Sequence, residues 1–434
     1  MPPDSDGWQT LHPLTPILRS GRYALPAAIG ILQTSNGTSG RIYVLPVVGV
    51  VLLLGGVVGY LSWRFTRYRL ANDALELESG VFQRRRRRVP LARLESVDLT
   101  RNLVARAFGL AELHLEAVST GESEVVLSYL GEDQAIALKA TLLARRAGVA
   151  PDSAPPPEVV LATVPTRPLV ISALLTPALL LVLFIAASVL SAFFSLAFAG
   201  VLIFGGVPGL LAITAAGIAR QESLFGFTVA EAPDGLRIRR GLVNLRTQTI
   251  PLNRVQGVRI VEPLLWRPFG WARVLVDVAG YRGGGRNGRD QTSLLLPVAP
   301  RLLIGPILSR VLPGLDLSAI PLQVAPPLAR WRAPLSYRRL GAAWTPLFAV
   351  TRRGRLRRLT DVVPHTRVQS LRITQGPLQR RLALATLHLD SPGSAVSAKA
   401  LHRDAREAAD LAQQSRQLDL STGSRTALTP VQVP

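Results

Sequence analysis

The chain has 434 residues, with 50 Lys+Arg against 28 Asp+Glu, a formal net charge of +22 and no cysteine. Absence of cysteine excludes disulfides, thiolate metal centres and thiol nucleophiles. Hydrophobic residues make up 48% and mean hydropathy is +0.27, too apolar for a disordered basic tail.

In chain order, the first expected elements are membrane segments. Ile42–Trp63 is a charge-free run closed by Arg41 and Arg64, with Tyr43, Tyr60 and Trp63 near its ends. About 20 apolar residues cross the bilayer core, and aromatic side chains favour its borders. A weaker first span is read over 22–40, where YALPAAIGIL precedes the polar QTSNGTSG; an interfacial segment is the alternative there. Pro168 to Ala219 carries no charged side chain, which fits a second hairpin. Arg64, Arg67, Arg69, Arg167 and Arg220 flank these runs. The positive-inside bias then puts the remaining parts on the cytoplasmic side of a bacterial inner membrane.

An internal repeat is the strongest signal. Val89-Pro90-Leu91-Ala92-Arg93-Leu94, Ile250-Pro251-Leu252-Asn253-Arg254-Val255 and Val363-Pro364-His365-Thr366-Arg367-Val368 share one pattern. Sixteen residues after each Pro stand Arg106, Arg267 and Arg380; ten residues before it stand Gly80, Gly241 and Gly354. Glu116, Asp277 and Asp390 all lie 26 residues after their Pro. Alternating stretches such as Ala74–Glu78, Leu113–Val118 and Val274–Val278 predict strands, and each Gly predicts a turn. Each copy closes on a predicted helix: from Glu132 to Arg146, over Arg301–Val311, and over Ala400–Gln417, where Leu401, Ala405, Ala408 and Ala412 fall at helical spacing. Pro346 weakens the opening strand of the third copy, which is expected to be trimmed or distorted.

The fold class read from these features is an α+β membrane protein. It has two transmembrane helical hairpins and three β-domains, each capped by a C-terminal helix. The boundaries are 1–63 for the first hairpin, 64–150 for domain 1, 151–167 for a Pro-rich linker and 168–219 for the second hairpin. Domain 2 takes 220–314, a linker 315–335, domain 3 336–418, and a tail read as disordered 419–434.

Leu11-His12-Pro13-Leu14-Thr15, Tyr68-Arg69-Leu70, the Gly80-to-Pro90 block and Arg367-Val368-Gln369-Ser370 carry a family resemblance. With these residues the chain resembles the bacterial PH-like domain membrane proteins, the YdbS/YdbT-like group. The resemblance implies a strongly bent β-sandwich or barrel plugged by a C-terminal helix. It implies no catalytic residues, and oligomerisation through exposed strands.

Candidate contact residues are basic. Arg84, Arg85, Arg86, Arg87 and Arg88 form one run; Arg352, Arg353, Arg355, Arg357 and Arg358 form a second. Each basic residue near an anionic surface is worth about 1 kcal/mol. On a strand, alternate residues face opposite ways, so the five arginines cannot all meet one ligand. The competing reading is a charged edge that blocks strand pairing, or topology bias alone. Residues 220–434 hold 32 basic and 13 acidic side chains, and residues 64–168 hold 15 and 13. The repeated Pro90, Arg93, Pro251, Arg254, Pro364 and Arg367 read as structural.

No Ser-His-Asp arrangement or H-E-x-x-H motif occurs, so no catalytic residue, cofactor or metal ligand is assigned. His114 and His388 lack partners at ligand spacing. Tyr281–Arg289 lacks the Lys-Ser/Thr of a P-loop and reads as a long turn. No nucleic-acid recognition element is present, so nucleic acid is not expected as a partner. The functional expectation is a non-catalytic membrane-anchored scaffold, engaging partner proteins, itself or anionic phospholipid. An accessory of a transport or export system is the alternative, although the runs hold no ionisable relay.

Overall fold

A computed structural model describes residues 8–13, 15, 38–71, 74–80, 85–117, 124–147, 158–175, 186, 221–232, 235–279, 292–391, 396–421 and 429–432. The first copy comprises β1 (Gln9–Thr10), α1 (Thr38–Arg64), β2 (Arg67–Ala71), β3 (Ala74–Ser79), β4 (Arg85–Pro90), β5 (Leu94–Arg101), α2 (Leu103–Ala107), β6 (Leu110–Ala117), β7 (Glu124–Gly131) and α3 (Glu132–Ala147). The second has β8 (Val159–Thr163), α4 (Thr166–Leu174), β9 (Thr228–Ala232), β10 (Gly235–Arg240), β11 (Leu245–Ile250), β12 (Val255–Pro263), β13 (Trp271–Val278), β14 (Thr292–Pro300) and α5 (Arg301–Val311). The third has β15 (Gln323–Val324), β16 (Gly341–Trp344), β17 (Phe348–Arg353), β18 (Arg357–Pro364), β19 (Ser370–Thr374), α6 (Pro377–Arg381), β20 (Leu384–Asp390), β21 (Ala398–Asp404) and α7 (Ala405–Ser421), with β22 (Thr429–Gln432) beyond it.

One local device recurs in every copy. Pro90, Pro251 and Pro364 hold φ of −63°, −67° and −62° and open the short 3-10 turns Leu91–Arg93, Leu252–Arg254 and His365–Arg367. The proline ring fixes φ near −65° and has no N–H to satisfy. A second device follows the repeated Arg. Gly109, Gly270 and Ala383 have φ of +63°, +66° and +50°. Their carbonyls accept from the first residue of the closing helix: Glu132 N at 2.8 Å, Arg301 N at 3.0 Å and Ala405 N at 2.9 Å. One bond therefore sets where the C-terminal helix starts in all three copies.

The chain divides into two compact units, Met1–Pro155 with Val243–Gln248, and Pro156–Leu242 with Thr249–Pro434. In the first unit, β1-β2-β3-β4 form one antiparallel sheet, and β7-β6-β5 continue into the Leu245–Thr247 stretch of β11. Tyr68, Leu75, Leu94, Leu113, Leu127 and Leu142 belong to its core. Burial pushes the Tyr68 hydroxyl up to about 12.

In the second unit, β14-β13-β12-β18-β17-β16-β15 form one seven-stranded sheet that runs through the second and third copies. Phe348, Val350 and Val362 enter the core shared with Val258, Val274 and Ile304. Their neighbours Ala349 and Val363 enter the core of Leu371, Leu387 and Ala408. The Phe348–Val350 end of β17 and the Val362–Val363 end of β18 are thus buried on both faces, which explains why apolar residues follow one another there.

The strand junctions between successive copies share one register. Val362, two residues before Pro364, lies opposite Val258, seven after Pro251. Thr247, four before Pro251, lies opposite Leu99, nine after Pro90. Moving two residues back on one antiparallel strand moves two forward on the other, so these are the same alignment. At the third copy, β22 takes the corresponding edge of β19, in parallel, with Ser370 opposite Thr429 and Arg372 opposite Gln432.

Several expectations are corrected. The described chain is mostly antiparallel sheet, and no helix among the described residues is long and apolar enough to cross a membrane. The expected class with two transmembrane hairpins is therefore not the architecture observed. Helix α1 covers Ile42–Trp63, and its side chains are described at 49, 50 and 53–64. At the second expected hairpin, α4 stops at Leu174; 176–185 and 187–220 lie outside the described residues, as do 16–37 of the weaker first span. The third closing helix starts at Ala405, because Ala398–Asp404 pairs with β20 as a strand. Pro346 sits in the turn between β16 and β17, so the third copy keeps its opening hairpin. The tail carries β22. Tyr281–Arg289 lies outside the described residues.

Candidate binding surfaces

Strand β4 carries the first arginine run and ends its sheet among the described residues. Arg85, Arg86 and Arg88 are exposed and Arg87 is half-buried; Arg84 lies outside the described residues. Pairing of β3 with β4 puts Glu76 opposite Arg88 and Glu78 opposite Arg86. Glu76 receives Arg69 Nε at 2.8 Å and Arg86 Nη2 at 3.0 Å, with Arg88 Nε at 3.9 Å. The bonds from Arg69 and Arg86 hold its carboxyl below the usual carboxylate range. Arg69 and Arg86 also cover the Trp8 ring at 4.6 and 5.7 Å, a cation–π arrangement. The run thus splits by strand alternation, with Arg86 and Arg88 on the Glu76 face.

The second run does not form one surface. Arg353 Nη2 lies 3.1 Å from Asp361 Oδ2, and Arg353 Nη1 donates to Ser397 O at 3.2 Å. Burial pulls its basicity down. Arg358 Nη1 lies 3.1 Å from Glu262 Oε2, which Arg301 also contacts. Arg352 is half-buried, its basicity lowered by burial and then by Arg358. Arg355 and Arg357 remain exposed on the turn after Gly354. The residues missing from the sequence reading are Glu262, Arg259, Asp361, Arg301 and Arg339. They are far apart in the chain, and none stands in a recognisable motif.

The repeat-defining arginines differ in their contacts. Arg367 Nη2 donates to Asn253 O at 2.5 Å, so the third copy's arginine caps the second copy's turn. Arg93 is exposed and Arg254 half-buried. The repeated acid Asp277 accepts from Val396 N at 3.1 Å, again from the second copy to the third. Arg372 Nε lies 3.7 Å from Asp390.

Three-fold repetition of a β-domain closed by a C-terminal helix defines the class. The family model for the bacterial PH domain matches residues 25–146, 169–301 and 293–419, and the chain belongs to that family. It is YdbT-like: it is similar to the UPF0699 transmembrane protein YdbT of Bacillus subtilis (strain 168), 22% identical over 304 residues, which cover 63% of this chain. The match spans 60% of that relative's length.

Proposed function

We propose that this protein is a non-catalytic scaffold associated with the bacterial membrane. Its PH domains engage partner proteins or a second copy through strand edges, and its basic surface contacts anionic headgroups. The observation that carries this reading is the shared junction register. The chain uses one alignment twice to add a following copy's strand to a preceding copy's sheet. Strand β4 is the first copy's equivalent of β11 and β18, and it stands at a sheet edge among the described residues. An edge strand is a template for strand addition. Membrane association is supported by the similarity to a protein named as transmembrane. It is also supported by α1, which leaves Val50, Leu53, Leu54, Val57 and Val58 exposed.

A photoreactive residue placed at Arg85 of the full chain tests the reading in native membranes. It should crosslink a discrete protein or a second copy, while the same probe at exposed Arg406 of α7 should not. No adduct at Arg85, or equal adducts at both positions, would contradict it.

A further inference from the structure

Around the end of the β12–β18 pairing, two guanidinium groups hold one carboxylate and three more arginines stand close by. Arg301 and Arg358 both contact Glu262 Oε2. Arg267 Nη2 donates to Arg355 O at 2.7 Å and reaches Glu262 O at 3.5 Å. Arg339 Nη1 reaches the same Arg355 carbonyl at 3.5 Å. Arg352 of β17 lies opposite Thr360 of β18, two residues on from Arg358, and its basicity is lowered by burial and then by Arg358. The Nε groups of Arg267, Arg352 and Arg358 are buried and find no hydrogen-bond partner among the described residues.

Guanidinium stays charged at any ordinary pH. Five cations against one acid therefore leave the cluster strongly positive. Burial, and then repulsion from Arg358 and Arg339, lowers the basicity of Arg267. Such a cluster is most stable with an anion in it, and planar guanidinium forks match phosphate oxygens in two-point contacts.

The surroundings are apolar. Leu302, 89% exposed, follows Arg301, and Leu356, 68% exposed, lies between Arg355 and Arg357. Phe269 is exposed, stacks on Trp271 at 4.8 Å and precedes Gly270, whose carbonyl holds Arg301 N. Leu264 and Leu265 add to this exposed fringe. A basic cluster fringed by protruding Leu and Phe suits the headgroup level of a bilayer, where apolar side chains enter below the phosphates.

We infer that Arg267, Arg301, Arg339, Arg352 and Arg358 form a binding site for the phosphate group of an anionic phospholipid, with Leu302 and Leu356 entering the interface. This rests on the headgroup-contact part of the proposed function and assigns it to one place.

The test uses the full chain with phosphatidylcholine vesicles, with and without phosphatidylglycerol, and inorganic phosphate as the soluble probe. Arg267 and Arg339 contact main-chain carbonyls rather than the Glu262 carboxylate, so removing them leaves the carboxylate's pairs with Arg301 and Arg358 intact. The Arg267→Gln/Arg339→Gln variant should lose affinity for phosphatidylglycerol vesicles by on the order of thirtyfold. Leu302→Ser/Leu356→Ser should weaken vesicle binding and leave phosphate binding unchanged. Should the glutamine pair fail to fold, Arg267→Lys/Arg339→Lys keeps the charge and should still reduce vesicle affinity, since two-point contacts are lost. Unchanged vesicle binding in the folded arginine variants overturns the site. If Arg85→Gln/Arg88→Gln then abolishes binding, headgroup contact stands but lies on β4. Loss of phosphate binding with vesicle binding intact would assign the cluster to a free anion and overturn the lipid inference. No preference of the wild-type chain for phosphatidylglycerol would overturn the site and the headgroup reading together.

Discussion

Arg259 of β12 lies opposite Asp361 of β18, its Nε 2.5 Å from Oδ1 and its Nη2 3.2 Å from Oδ2. Arg353 of β17 takes the same carboxylate from the other side, at 3.1 Å. Asp361 is fully buried, so two cations share one acid at the junction of two copies. Removing one partner of a buried pair leaves an uncompensated charge. Asp361→Ala should destabilise the second unit by about 3–5 kcal/mol in urea unfolding. Arg88→Ala, on the exposed edge of β4, should cost no more than about 1 kcal/mol. Equal small effects at both positions would show that the buried pairing does not hold the junction.

The left-handed positions offer a graded comparison. Gly270 has φ +66° and open space where a Cβ would stand; Gly354 has φ +91° and would place a Cβ 2.0 Å from Arg357 O. Gly270→Ala should cost about 1–2 kcal/mol, the backbone term alone. Gly354→Ala should cost about 3 kcal/mol or more, because a backbone clash is added. Ala383 already holds φ +50°. Ala383→Gly should therefore stabilise by up to about 1 kcal/mol, after the extra freedom of unfolded glycine is subtracted. Denaturant midpoints of the three variants measure the order.

Two histidines are expected to make the second unit sensitive to acid. Burial, then Lys399 and Arg372, lowers the basicity of His388; burial, then Arg332, lowers that of His402. His388 Nε2 meets Thr374 Oγ1 at 3.1 Å, and His402 Nδ1 meets the Gln379 amide at 2.8 Å. A folded pKa below the unfolded value near 6.5 means that the unfolded chain binds protons first. The contribution is thus complete above about pH 7 and is lost as the pH falls below about 6.5. The urea midpoint should be flat from about pH 7 to 8 and decline toward about pH 5. His388→Gln/His402→Gln should flatten the decline; an unchanged slope would assign the acid sensitivity to other groups.

Strand β22 covers β19 where a further copy would otherwise add. Truncation after Ser421 should raise amide exchange at Ser370–Thr374 by on the order of tenfold or more, and should favour association through the uncovered edge. Exchange and sedimentation of the truncated chain measure both effects.

What could be read beforehand was local. Each Pro-x-x-Arg turn, the turn glycines at 80, 241 and 354, and the Arg301–Val311 helix follow from backbone restrictions carried by the residues themselves. Ala400, Leu401, Ala405 and Ala408 fit helical spacing, yet pairing with β20 makes Ala398–Asp404 a strand, so the third helix starts later than the spacing alone predicts. Strand alternation correctly divides Arg85–Arg88 between two faces. The apolar run at Ile42–Trp63 gave the composition of a crossing; the described helices do not provide one. Glu262 could not be found in advance, since its partners Arg301 and Arg358 are brought to it only by the closing helix and by the third copy's strand. The shared junction register was equally hidden, because it depends on which sheet edge each copy adds to.

The absence of cysteine allows the register to be tested by paired cysteine substitution. Directly opposite residues of an antiparallel pair come within disulfide reach. Thr100→Cys with Arg246→Cys, and Ile260→Cys with Thr360→Cys, should each give an intramolecular disulfide under mild oxidation. Partners moved by one residue, Leu245→Cys or Leu359→Cys, should not, since they point to the other face. Crosslinking only in the moved pairs, or in none, would contradict an architecture in which successive bacterial PH domains are joined through a single strand register.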